Sequence, residues 1–175
     1  YTTMSSILNH QLNQKISCFN HFNQIMTHPE YWHQSKKFLS NADPRLARLF
    51  LDHPDYCISS RGEALETLLR SIVGQQISVQ AAASVWGKLE NKIGKINPQN
   101  VLALSFEDLK SCGLSKQKTQ YIINICNHFI SFSINSHSYW EGKSYKHIYD
   151  ELITIKGVGP WTAEMFGMFY LLEKD

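Results

Sequence analysis

Residues 153–169, Ile-Thr-Ile-Lys-Gly-Val-Gly-Pro-Trp-Thr-Ala-Glu-Met-Phe-Gly-Met-Phe, leave the backbone few choices. Upstream, Tyr145, Ile148, Tyr149, Leu152 and Ile153 recur at helical spacing. Downstream, Pro160 stands where a helix starts well, because the first-turn N–H it lacks has no intrahelical acceptor. Trp161, Met165, Phe166, Phe169 and Leu172 form a second apolar stripe. Between the stripes, Gly157 and Gly159 reach positive φ without a Cβ penalty. The string predicts helix, tight glycine hairpin and helix over 144–172. Backbone N–H groups and a helix N-terminus then meet at one place, a geometry that binds an anion, and a DNA phosphate fits it.

The remainder of the chain is patterned for helices. Asp43-Pro44 is a helix start, followed by Leu46, Leu49 and Phe50. Leu65, Leu68, Leu69, Ile72 and Val73 follow the i, i+3, i+4, i+7, i+8 rule. Gly74-Gln75-Gln76-Ile77 breaks that helix, and Ser78 caps the next, with Val79, Ala82, Ala83, Trp86 and Leu89 predicted inward. Ser105 and Asp108 have capping-box spacing, and Gly113 ends their helix. Ser115 starts another, burying Ile122, Ile123, Cys126, Phe129 and Ile130. No useful strand-period run occurs. The segment lengths predict an all-α domain of about seven to nine helices over 29–175. Residues 1–28, rich in Asn, Gln and His, read as a polar lead-in able to form only a weak amphipathic helix.

Composition narrows the function classes. Hydrophobic content of 43% supports a core, and 17 basic against 15 acidic residues argue against a protein that coats DNA by charge alone. Local phosphate contact remains compatible with that balance. Cys18, Cys57, Cys112 and Cys126 have no clustered spacing, so neither an iron–sulfur or zinc site nor a disulfide framework is predicted. The eight histidines are scattered. No run is long enough for a membrane helix, and a reducing cytoplasmic setting is the expectation.

Three segments, taken together and in order, carry a resemblance. They are Leu68 to Ala83, with Gly74-Gln75-Gln76-Ile77-Ser78 inside it, then Cys112-Gly113-Leu114-Ser115-Lys116-Gln117-Lys118 and onward to Ile122, then the glycine hairpin. The chain resembles the helix-hairpin-helix superfamily of base-excision DNA glycosylases over roughly residues 29–175. Within that superfamily it is most like the bacterial DNA-3-methyladenine glycosylase II family. The resemblance implies two helical lobes, with the C-terminal part of the fold lying beyond Asp175. It implies a monomer that binds duplex DNA containing alkylated bases in the bacterial nucleoid, with no membrane and no required cofactor.

It also implies roles for individual residues. Gln75 or Gln76 would be the wedge that fills the gap left by an extruded base; the residues alone equally allow both to satisfy backbone groups at a helix break. Amides near Gly157, Val158 and Gly159 would hold a phosphate, with the Thr162 hydroxyl adding to the grip. Carbonyls of Ile153, Ile155 and Gly157 would be the positions for a monovalent cation. Lys116 and Lys118 would contact the DNA backbone or stand solvated. Trp161 stands where related glycosylase/lyases place a Schiff-base lysine; an indole is no such nucleophile, so lyase activity is not expected. An exposed indole face would instead attract a cationic methylated purine by about 1–2 kcal/mol, whereas a core tryptophan would do neither. Met165, one turn on, would line the same pocket.

Cleavage of an N-glycosidic bond needs a carboxylate beside the developing sugar cation. The resemblance puts that aspartate just beyond Asp175, so no catalytic residue is assigned within the chain. The main rival is a non-catalytic helix-hairpin-helix DNA-binding module. An adenine- or oxidised-base glycosylase with lyase activity is disfavoured by Trp161 and the dispersed cysteines.

Overall fold

Short polar side chains mark most helix starts, and they set where each segment turns. In a computed structural model describing residues 29, 31–60 and 62–174, all regular structure is helical. The polar lead-in of residues 1–28 lies outside the described residues. Chain contacts divide the protein into two compact units, 1–60 and 61–175.

The first unit holds α1 (Trp32–Ala42) packed on α2 (Pro44–Asp52). Asp43 joins them: its Oδ1 accepts the Arg45 N–H at 2.8 Å, and Pro44 begins the helix as its fixed φ favours. The Arg45 guanidinium lies against the same carboxylate and holds its pKa below the usual value. Trp32 Nε1 and Lys36 Nζ donate to the carbonyls of Tyr56 and Pro54 at 3.2 and 2.9 Å, tying the following segment back. Neither helix buries a residue fully; Leu46 and Phe50 are half-buried and Leu49 is exposed.

The second unit is built around a long helix. α3 (Ala64–Gly74) buries Leu65, Leu68, Leu69, Ile72 and Val73, as their spacing predicts. Ser78 Oγ accepts the Ala81 N–H and opens α4 (Val79–Ile93), which buries Trp86 and Leu89. Val79, predicted inward, is 88% exposed. It is the first helical residue, and its Cβ points back toward the N-terminus, past the end of the packed stripe. Asn97 caps α5 (Pro98–Leu102), and Ser105 caps α6 (Phe106–Ser111). Ser105 Oγ also donates to Asp108 Oδ2, so the acid steadies the capping hydroxyl. The Lys92 ammonium, with Ser105 behind it, draws the Asp108 carboxyl down to about 2. Ser115 caps α7 (Lys116–Ser131), against which α3, α5 and α6 pack.

On α7 the buried stripe is Ile122, Ile125, Cys126 and Phe129. Ile130, predicted inside, is 44% exposed, because the stripe turns toward Ile125. Burial pushes the Cys126 thiol up to about 12, leaving it a small hydrophobe at neutral pH. Beyond α7, a 3₁₀ turn (His137–Tyr139) delivers Trp140 into a knot of rings. Its centroid lies 6.3 Å from Phe129, 5.1 Å from Phe166 and 4.8 Å from Tyr139. Ser144 then caps α8 (Tyr145–Leu152), which leads through the glycine hairpin into α9 (Pro160–Phe166) and a π-helical turn (Gly167–Leu171).

A carboxylate network fastens α8. Glu151, with 13% side-chain exposure, accepts from Tyr139 Oη at 2.6 Å and Lys143 Nζ at 3.0 Å, and faces His128 Nε2 at 3.3 Å. Burial alone raises its pKa, but these bonds outweigh it and hold the carboxyl below its usual range.

Candidate functional site

The hairpin turns on one glycine rather than two. Gly157 has φ +113°, and a Cβ there would stand 2.2 Å from Cγ of Tyr121, so the turn closes directly onto α7. Gly159 departs from the expected positive φ: it is extended (φ −96°, ψ 178°), and a Cβ there would meet nothing within 4 Å. Its lack of a side chain answers no need among the described residues, whereas it leaves the backbone open to an approaching ligand. The Asn124 amide, also on α7, donates to the Lys156 carbonyl at 2.9 Å and fixes the turn from a second point.

The expected phosphate donors divide. The Val158 N–H is committed to the Ile155 carbonyl at 2.9 Å and its side chain is buried, so it closes the hairpin instead of facing outward. The N–H groups of Gly159, Trp161 and Thr162 precede the first bond of α9, from Ala163 to Gly159 at 3.0 Å, and no side chain caps them. The Thr162 side chain is 2% exposed, and Gln75 Nε2 donates to its hydroxyl at 3.3 Å. Its expected phosphate contact therefore gives way to a link between the hairpin and the turn after α3. Lys156, exposed beside the glycine turn, is a cation the motif itself contains and the sequence reading passed over.

The two glutamines separate by the same evidence. Gln75 is half-buried and spends its amide on Thr162. Gln76 is exposed at φ +56°, a left-handed conformation uncommon for a residue with a side chain. Ile77 beside it is 40% exposed. A cleft of about 250 Å³ opens here, lined by Val73, Gln76, Ile77, Val85, Leu114 and Lys118 among others. The first and second sequence motifs thus meet at one place. Lys118 reaches into it: Nζ donates to the carbonyls of Val73 at 2.8 Å and Gln75 at 2.7 Å. Its partial burial lowers its pKa. That is neither a solvated lysine nor one held out toward a phosphate. Lys116, at the first position of α7, is exposed.

Trp161 is 55% exposed, which removes the core reading. The buried stripe of this helix runs Thr162, Ala163, Phe166 and Tyr170, and Trp161 falls off it. With half-buried Met165 and exposed Met168 it forms a second apolar face at i, i+4, i+7. Among carboxylates of the hairpin helices, Asp150 and Glu164 are exposed and Glu151 is held in its network. No cluster of His, Cys, Asp and Glu that would hold a metal occurs among the described residues. Of the three carbonyls expected to take a cation, that of Ile155 already accepts the Val158 N–H. No helix among the described residues is long and apolar enough to cross a membrane.

Residues 69–166, more than half of the chain, match the family described as HhH-GPD superfamily base excision DNA repair protein. A DNA-3-methyladenine glycosylase 1 of Schizosaccharomyces pombe is 28% identical over 134 residues, covering 75% of this chain. The chain spans 59% of that relative's length. Among solved structures, a DNA-3-methyladenine glycosidase of Bacillus halodurans superposes with TM-score 0.64 at 33% identity, covering 78% of this chain and 63% of that one. A Schizosaccharomyces pombe 3-methyladenine DNA glycosylase in complex with abasic DNA superposes with TM-score 0.69 at 27% identity, covering 78% of this chain and 69% of that one.

Proposed function

The chain belongs to the HhH-GPD superfamily of base excision DNA repair proteins, and from that premise we propose that it carries the elements by which a DNA glycosylase holds duplex DNA and receives an extruded alkylated purine such as 3-methyladenine. The observation that carries the reading is the exposed indole of Trp161, set one residue past the open hairpin at Gly159 and Pro160. A purine methylated on a ring nitrogen, as in a 3-methyladenine nucleotide, is a flat cation, and an indole face held out of the core attracts it. Damage selectivity then owes part of its strength to the purine itself, whose glycosidic bond is already weakened. Trp161 supplies no amine for a Schiff base, so hydrolysis without strand cleavage is the reaction proposed.

Each element has a part in the grip. The uncapped amides at the start of α9, with Lys156 nearby, take a backbone phosphate. Gln76, held out at positive φ while Gln75 is anchored, is the wedge that enters the space left by the flipped base. The carbonyls of Ile153 and Gly157, with the second lone pair of Ile155, suit a monovalent cation beneath the phosphate.

Binding to a duplex carrying an abasic-site analogue, against the same duplex intact, tests the holding role. Release of free 3-methyladenine from alkylated duplex tests the chemistry. Preference for the abasic duplex, lost on Gln76→Ala, together with base release sensitive to Trp161→Ala, supports the proposal. Equal affinity for both duplexes overturns it. Preference without release fits a glycosylase scaffold whose catalytic carboxylate is not among these residues, release would place that carboxylate within them, and trapping by borohydride would restore a lyase.

A further inference from the structure

We infer that Lys118 is a positioning residue for the Gln76 wedge: its ammonium clamps the Val73 carbonyl near the end of α3 and the Gln75 carbonyl just past it, and so holds the turn in its left-handed form. This rests on the wedge assignment made above. The clamp spans the chain, since Nζ reaches Val73 and Gln75 carbonyls 45 and 43 residues away at 2.8 and 2.7 Å. The end of α3 leaves carbonyls without intrahelical donors, and a cation there also meets the negative end of the helix dipole. Gln76, the next residue, then sits at φ +56°, a conformation that persists only where its surroundings impose it. Gln75 is pinned on both sides, by Lys118 at its carbonyl and by Thr162 at its amide. Gln76 is thus the one glutamine of the pair free to leave the protein surface. The backbone of Lys118 is itself set by the Ser115 cap at 3.2 Å. A lysine serving as a phosphate contact would have its donors pointing outward, whereas two of these three protons are spent inside.

The test uses the full chain with Lys118→Met, Lys118→Arg, Gln76→Ala and the Gln76→Ala/Lys118→Met pair. Backbone hydrogen exchange over residues 74–78 of the free protein should quicken about tenfold or more on Lys118→Met, with residues 153–160 unchanged and Lys118→Arg close to wild type. Preference for the abasic-analogue duplex should fall about tenfold on Lys118→Met and should not fall further when the change is added to Gln76→Ala. Losses that add, with a salt slope shallower by about one, would make Lys118 a phosphate contact and overturn the inference. Unchanged exchange in the turn would overturn it as well. If the wild-type chain shows no abasic preference, the wedge reading fails by itself, and the exchange measurement still decides the clamp. Should the methionine variant melt early, Lys118→Gln is read in the same two assays.

Discussion

Replacing Gly157 by alanine should unfold the second unit far more readily than the same change at Gly159, although the two glycines stand in one motif. At Gly157 two penalties coincide. A φ of +113° costs an alanine about 1–2 kcal/mol. The added Cβ would lie 2.2, 2.4 and 2.6 Å from Cγ, Cδ1 and Cβ of Tyr121, well inside contact distance. Moving a ring and the helix that carries it costs about 1–3 kcal/mol. The sum, about 2–5 kcal/mol, should lower the melting temperature by roughly 8–20 °C for a unit of this size. Gly159, extended and with open space around it, should lose no more than about 1 kcal/mol, as a helix cap changed from glycine to alanine. Thermal unfolding followed by circular dichroism decides. Removing the ring with Tyr121→Ala in the Gly157→Ala background should recover only part of the loss, because Tyr121 Cβ remains at 2.6 Å. A Gly157→Ala melting point within about 2 °C of wild type, or equal damage at both glycines, would refute the reasoning.

Three further outcomes follow from the same geometry. Trp161→Ala should leave stability within about 1 kcal/mol, since the indole is 55% exposed, while abolishing enrichment of cationic alkylated purines over neutral ones in a base-release or binding assay. Gln76→Gly should stabilise the free protein by about 1 kcal/mol in urea unfolding, because glycine tolerates φ +56°, yet weaken abasic-site preference. Glu151, held below its usual pKa by Tyr139, Lys143 and His128, contributes stability that is full above the unfolded carboxylate value. That contribution is lost as pH falls through the lower folded value, so wild type should weaken below about pH 4. Glu151→Gln should melt early at pH 7, by about 2–3 kcal/mol, and show a flatter acid profile.

Local rules carried much of the fold. Leu65, Leu68, Leu69, Ile72 and Val73 are buried where their spacing puts them, and the caps at Ser78, Ser105 and Ser115 form, because each depends on residues within one or two helical turns. The glycine hairpin was legible for the same reason. What escaped depends on distant chain. Which glycine needs positive φ was settled by Tyr121. Which glutamine is anchored was settled by Thr162, 87 residues on. The burial of Thr162, the clamp at Lys118 and the ring knot around Trp140 likewise need the tertiary arrangement, since no periodicity marks a side chain whose partner comes from another helix. Trp161 fitted an apolar stripe in the sequence because Trp161, Met165 and Met168 share helical spacing with each other, just as the buried residues do. Periodicity reports a face, and here the helix has two.

Lys118, Tyr121 and Asn124 occupy one side of α7 at intervals of three; the first holds the turn after α3, and the other two hold the glycine hairpin. Six residues of α-helix rise about 9 Å. α7 therefore serves as a gauge block between the two loops, and its length in this stretch is not negotiable. One inserted or deleted residue between Lys118 and Asn124 would alter the spacing by only about 1.5 Å but would swing one anchor about 100° around the axis, detaching a loop altogether. Sequences built on this plan should accept length changes in the connections flanking α5 and α6 and none between these two anchors.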